Sequence, residues 1–220
     1  MTPNYRLHNY WRSSASYRVR IGFGLKGLPY EYVAVNITAP GGGEQRTDAY
    51  RAMNPQMQVP TLEVPGPDGP RFLGQSLAIL EYLDEVHPDR PRLLPPDPMD
   101  RARARQIAEA VNAGIQPLQN IPVMAEVERL GGDRTAWARH WNERGLEALE
   151  RLVAYSAGQF AVGDTASIAD CCVVPQLYGA RRFGVDTSRF PTLTRVERAC
   201  LALDAFARAA PERQPDAASA

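Results

Sequence analysis

The chain has 220 residues, and its 25 basic and 25 acidic side chains cancel to a formal net charge of zero at pH 7. That balance gives no electrostatic footprint for nucleic acid or an anionic membrane surface as partner, and no apolar run approaches the roughly 18 residues a membrane span needs. A hydrophobic fraction of 44% is ordinary for a chain that buries a core, and Met1-Thr2-Pro3-Asn4-Tyr5 has neither the charged nor the apolar region of an export signal.

In chain order, Tyr5 to His8 reads as a short strand, Asn9 to Ser14 as a polar turn, and the next residues as a helix to Lys26. Gly27 and then Pro29 give that helix its stop. Glu31 to Val35 is β-rich, Pro40 to Gly43 is a loop, and a short helix covers Thr47 to Met53. Asn54-Pro55 breaks the chain. Val59 to Val64 and Arg71 to Leu73 then form strands close enough to pair across the Pro65–Pro70 turn. Leu77, Leu80 and Leu83 fall on one helical stripe with Ile79 beside them. The order β-α-β-α-β-β-α over residues 1–87 predicts a thioredoxin-like domain. Prolines at 88, 91, 95, 96 and 98 mark 88–98 as a linker.

From 99 to 212 the pattern is helical, so the fold class is α/β followed by all-α. Ile107, Val111, Ile115 and Leu118 share a face that Pro117 interrupts, and Trp137, Trp141, Leu149 and Leu152 line a second helix. Ser167-Ile168-Ala169-Asp170 has the form of an N-terminal capping box. Thr192 is a candidate cap for a last helix carrying Val196, Cys200, Leu203 and Phe206. Residues 213–220 read as a loose tail.

Two glycine motifs are set aside. Gly22-Phe23-Gly24-Leu25-Lys26-Gly27 matches G-x-G-x-x-G, but these glycines close a helix, whereas a dinucleotide site needs them in the turn that opens one. They read as close-packing positions. Gly41-Gly42-Gly43-Glu44 lacks the Lys-Ser/Thr of a P-loop. Cys171, Cys172 and Cys200 have no ligand or disulfide spacing, and His8, His87 and His140 are isolated, so no metal site is expected. Buried, reduced cysteines fit a cytoplasmic setting.

The informative segment is Trp11-Arg12-Ser13-Ser14-Ala15-Ser16-Tyr17-Arg18-Val19-Arg20-Ile21, at the passage from first strand to first helix. A thioredoxin-like fold would place a C-x-x-C pair there, and this chain has no thiol. Dithiol chemistry is excluded, but serine hydroxyls and backbone N–H groups at a helix start can stabilise a thiolate brought by another molecule. The same serines could simply be helix caps, and local sequence does not separate the two readings.

Ser13 to Ile21 closely resembles the S-S-C-S-x-R-V-R-I signature of zeta-class glutathione transferases. So do the stretches Asn54 to Leu62, including Gln58, Val59 and Pro60, and Gln75 to Leu83. Gly114 to Asn120, Ala169-Asp170 with Val174-Pro175-Gln176, and Gln214-Pro215-Asp216 match as well. The resemblance runs nearly the whole chain in order. It implies glutathione as cofactor, a homodimer, and maleylacetoacetate or maleylpyruvate isomerisation, with some members dehalogenating small α-halo acids. By position, Ser13 matches the serine that faces glutathione sulfur, with Ser14 beside it. Val59 would bind the cysteinyl backbone, with Pro60 cis. Gln75 and Ser76 would hold the γ-glutamyl carboxylate. Gln45 and Gln116 match further glutathione contacts, and Gln58 and Asn120 stand within the matching motifs. Arg12 and Arg182 match arginines of the acidic substrate site, Arg182 from the helical domain. Ala15 stands where the family usually has Cys, which bears on substrate preference more than on activity.

A thiolate that adds to a conjugated C=C bond makes it single, and rotation followed by elimination gives the trans isomer. The expected function is therefore glutathione-dependent cis–trans isomerisation of a small unsaturated dicarboxylate. The alternatives are a conjugating transferase or dehalogenase, which would consume glutathione, and a non-enzymatic module on the same fold.

Overall fold

The structure, a computed structural model, describes residues 5–217. The expectations on Met1–Asn4 and on 218–220 lie outside the described residues. Strands β1 (Arg6–Asn9), β2 (Glu31–Ala34), β3 (Thr61–Val64) and β4 (Arg71–Gly74) form one sheet in the order β2-β1-β3-β4. β1 runs parallel to β2 and antiparallel to β3, which pairs antiparallel with β4. Helices α1 (Ser14–Lys26), α2 (Asp48–Met53) and α3 (Ser76–Val86) complete the β-α-β-α-β-β-α order.

Leu7 of β1 lies opposite Leu62 of β3. Both are fully buried, in a core with Val19 and Phe23 of α1 and Ile79 and Leu83 of α3. The buried line of α3 is therefore Ile79, Leu80 and Leu83, and Leu77 of the expected stripe is only half-buried.

Helix α1 ends as the sequence signals: Gly27 takes the left-handed conformation, φ 62°, which only glycine adopts without strain. Gly22 and Gly24 are close-packing positions. A Cβ on Gly22 would lie 2.1 Å from Leu80 Cδ2 of α3, and one on Gly24 would lie 3.0 Å from Ala205 Cα.

The chain divides into two compact units. One holds the described residues up to Leu93 together with those from Asp204 on, and the other is Leu94–Leu203. The boundaries differ from the expected division at 87, 98 and 212. Helix α9 (Asp204–Ala209) belongs with the first unit, and Phe206 is fully buried. The stretch to Ala217 is fastened rather than loose: Gln214 Nε2 donates to the carbonyls of Arg208 and Ala210, each at 2.8 Å.

The second unit is built from α4 (Pro98–Asn112), α5 (Ile121–Arg129), α6 (Arg134–Ser156), α7 (Ile168–Arg182) and α8 (Pro191–Leu201). Helix α4 stops at Asn112, so Ile115 and Leu118 lie beyond it, at a 3-10 turn that contains Pro117. Helix α5 was not foreseen.

In α6 the buried line is Ala138, Asn142, Leu146, Leu149 and Val153, one position round from the expected Trp137, Trp141 and Leu152. Asn142 can be buried because its amide is satisfied: it donates to Gln119 Oε1 at 2.6 Å and accepts from Gln176 Nε2 at 2.6 Å. Trp137 is half-buried, its Nε1 donating to the Leu118 carbonyl at 2.8 Å.

The capping box at Ser167 and Asp170 is present. All three cysteines are buried thiols with no disulfide among the described residues, and burial together with neighbouring Asp170 pushes the Cys200 thiol up. Thr192 does not cap α8. Pro191 opens that helix, and the Glu150 carboxylate accepts from Thr192 N at 2.8 Å and Leu193 N at 3.0 Å. A side chain remote in sequence thus supplies the cap.

Candidate functional site

Strand register gathers the N-terminal candidates at one end of the sheet. Asn9 pairs with Ala34, His8 with Thr61, and Thr61 with Gly74. The chain therefore leaves β1 toward Arg12, Ser13 and Ser14, and leaves β2 toward the loop with Gln45. It enters β3 from Gln58, Val59 and Pro60, and leaves β4 into Gln75 and Ser76, all at that same end.

Ser13 is the N-cap of α1, and its Oγ accepts from Ser16 N at 3.2 Å. Capping engages the oxygen and leaves the hydroxyl proton to donate, so the two readings of this serine are compatible. Ser14 is the first helical residue. The first turn of α1 holds no acidic side chain to offset the helix dipole. Arg12 lies over the Trp11 ring, 5.1 Å from its centroid.

Helix α3 begins without a side-chain cap, since its N-cap is Gln75. Gln75 holds a positive φ of 67°, a conformation that costs a non-glycine residue about 1–3 kcal/mol. Its side chain is turned away from capping, with Nε2 donating to Gln56 Oε1 at 2.7 Å. Ser76 is buried, and Arg18 Nη1 of α1 donates to its Oγ at 3.1 Å. With the oxygen accepting from a cation, the hydroxyl proton is directed to another acceptor.

The Val59–Pro60 peptide is cis. The loop before it is pinned through the Gln58 carbonyl, which accepts from Tyr50 Oη at 2.8 Å and Asn54 Nδ2 at 2.9 Å. Burial holds the Tyr50 hydroxyl protonated, its pKa pushed up to about 12. Gln45 Nε2 donates to the Gly42 carbonyl, while its Oε1 is buried without a hydrogen-bond partner among the described residues.

This donor set fits glutathione. An uncapped helix start with a donating serine suits a carboxylate, a second helix start with a donating serine suits a thiolate, and Gln45 keeps a buried acceptor in want of a donor.

The remaining candidates belong to the second unit. Gln116 Nε2 donates to Asn120 Oδ1 at 2.6 Å, so these two are brought together. Arg182 is exposed in the last turn of α7. Sequence reasoning missed Arg18, Arg20, Tyr50 and Asp216. Two arginines flanked by Val19 and Ile21 in an apolar helix were the available signal for the first pair, since a buried cation needs dedicated partners.

A thioredoxin-like sheet with two anion-ready helix starts, followed by a helical unit, defines a glutathione transferase. The model for the glutathione S-transferase N-terminal domain matches residues 7–91. Maleylacetoacetate isomerase from Dictyostelium discoideum is 43% identical over 214 residues, 96% of this chain and 95% of that protein. The crystal structure of maleylacetoacetate isomerase from Anaeromyxobacter dehalogenans 2CP-1, with glutathione bound in the active site, is 52% identical. It superposes with a TM-score of 0.88 over 98% of this chain and 99% of that one. The holo structure of a maleylpyruvate isomerase, a bacterial zeta-class glutathione transferase, is 41% identical with a TM-score of 0.87, covering 96% and 99%. The chain belongs to the zeta-class glutathione transferases, the family of maleylacetoacetate and maleylpyruvate isomerases.

Proposed function

We propose that this protein is a glutathione-dependent cis–trans isomerase of a small unsaturated dicarboxylate of the maleylacetoacetate or maleylpyruvate type, working in the breakdown of aromatic compounds. The observation that carries the reading is the convergence of the α1 and α3 starts at one end of the sheet, each with a serine free to donate. Its support from relatives is the bound glutathione of a 52% identical isomerase.

When bound, glutathione supplies a thiolate whose sulfur adds to the activated carbon, moves the π electrons onto the conjugated carbonyl, and leaves again after rotation, unchanged. The protein's own residues do the rest. Ser76 and the α3 N–H groups take the γ-glutamyl carboxylate, with Gln75 beside them. Val59 offers its main chain to the cysteinyl backbone. Ser13, with Ser14 and the α1 start, donates to sulfur and lowers its proton affinity. Arg12 and Arg182 are assigned to the carboxylates and to the charge that develops on the substrate. Gln45, Gln116 and Asn120 are assigned to glutathione by their match to the family's motifs.

We further assign the protein to the cytoplasm and to a homodimer. A sedimentation measurement giving about twice the chain mass checks the latter. The deciding assay follows maleylacetoacetate and maleylpyruvate with and without glutathione. Turnover that requires glutathione without consuming it supports isomerisation, and stoichiometric consumption would instead identify a conjugating enzyme or dehalogenase. Arg182→Ala raises KM for the diacid and leaves glutathione affinity intact. Full diacid activity in that variant would remove Arg182 from the site.

A further inference from the structure

The turn that carries Arg12 and Ser13 is held from the far end of the chain. Arg20, buried in α1, donates from Nη2 to the Trp11 carbonyl at 2.8 Å. Its Nη1 reaches the Tyr10 carbonyl at 3.3 Å and Asn9 Oδ1 at 3.0 Å, and its Nε reaches the Ala209 carbonyl, at the end of α9, at 3.1 Å. Three residues beyond the 3-10 turn Pro211–Arg213 that follows α9 comes Asp216. Its carboxylate accepts the Trp11 backbone N–H at 3.0 Å through Oδ2 and the Tyr32 hydroxyl at 2.5 Å through Oδ1. The Tyr32 hydroxyl is held protonated, by burial first and by this bond second. Both backbone polar groups of Trp11 are therefore claimed by charged side chains. The Trp11 ring underlies Arg12, and Ser13 N closes the turn onto the Tyr10 carbonyl at 3.1 Å.

We propose that Asp216 is a positioning residue for the thiol-activating turn, clamping Trp11 to Tyr32 and thereby setting where Arg12 and Ser13 stand. The inference rests on the reading of Ser13 as the donor to glutathione sulfur. Charge-assisted bonds to a carboxylate are the strong ones, and a small displacement of a reacting group is costly in rate. A segment that reads from sequence as a loose tail is on this account part of the machinery that orients the active turn.

The test uses the full-length protein with Asp216→Ala, Asp216→Asn, Tyr32→Phe and Ser13→Ala. In glutathione-free Asp216→Ala, the Trp11 amide exchanges with solvent about tenfold faster than in the unaltered protein. With glutathione bound, the thiol pKa read from thiolate absorbance rises by roughly half a unit. Isomerase kcat falls about tenfold, and the calorimetric Kd for glutathione stays within about threefold. Asp216→Asn restores most of each quantity, because an amide can accept from Trp11 and donate to the Tyr32 oxygen. Tyr32→Phe, which leaves the carboxylate and the main chain in place, gives the same changes at smaller size and serves if Asp216→Ala does not fold. A folded Asp216→Ala or Tyr32→Phe protein with unaltered thiol pKa and kcat overturns the proposal, as does Asp216→Asn behaving like Asp216→Ala. If Ser13→Ala leaves the bound thiol pKa unaltered, the reading of Ser13 fails. If Ser13→Ala shifts it and the Asp216 variants do not, only the clamp fails.

Discussion

Ser76 illustrates how a buried cation can set the polarity of a hydroxyl. Because Arg18 donates to its oxygen, the serine turns its proton to another acceptor, which is what a carboxylate requires. Ser76→Ala removes that donor, and a hydrogen bond to a charged group is worth about 1.5–3 kcal/mol. Calorimetry should therefore record glutathione affinity weaker by roughly tenfold or more, with the fold intact by circular dichroism. Unaltered affinity would place the γ-glutamyl carboxylate elsewhere.

A second buried charge, Asp84, bears on stability. Asp84 accepts from Leu93 N at 2.7 Å, Lys26 Nζ at 3.0 Å and Arg92 Nε at 3.0 Å. Burial by itself raises this carboxyl, but the Leu93 N–H and the two cations outweigh it and hold the group below the usual aspartate value. A depressed carboxylate contributes stability that is present at neutral pH and lost as pH falls through its folded pKa, here below about pH 4. Asp84→Asn strands the buried Lys26 charge and should cost about 3–5 kcal/mol at pH 7. The difference between the two proteins should shrink as denaturation is repeated at lower pH. Parallel stability curves down to acid would contradict the assignment.

Among elements, α1 shows packing overruling propensity. An isolated helix gains about 1 kcal/mol when an interior glycine becomes alanine. In α1 the added methyl of Gly22→Ala would meet Leu80, whose side chain is fully buried and has little room to yield, and overpacking costs about 1–3 kcal/mol. The net effect on stability in urea should therefore be neutral or unfavourable, against the sign that propensity gives. A gain of about 1 kcal/mol would show that α3 yields freely. The same packing explains why a dinucleotide-like glycine pattern carries no nucleotide chemistry in this chain.

At the scale of the whole molecule, the first unit is completed by residues separated from it in sequence by the entire second unit. Phe206 of α9 is fully buried, Ala205 lies against Gly24, and Ala209 accepts from buried Arg20. A chain ended at Leu203 loses these contacts together. It should melt several degrees lower, with the loss concentrated in amide protection of α1 rather than of α7. Equal protection losses in both helices would mean that α9 matters to the two units alike.

The sequence by itself determined the β-α-β-α-β-β-α order, the Gly27 stop, the capping box at Ser167 and the helical nature of the second unit. Each of these is written in neighbouring residues through periodicity or local hydrogen bonding. Its motifs also determined the family, because several stretches match in register. Only the tertiary structure decided which face of α6 is buried, since burying Asn142 depends on Gln119 and Gln176 from other segments. It likewise decided that Glu150 and not Thr192 caps α8, that the tail to Ala217 is fastened, and that Arg18 and Asp216 act on Ser76 and Trp11. These outcomes rest on polar groups brought together from distant parts of the chain. Local sequence can report that a buried charge needs a partner, and only the folded chain says which partner it finds.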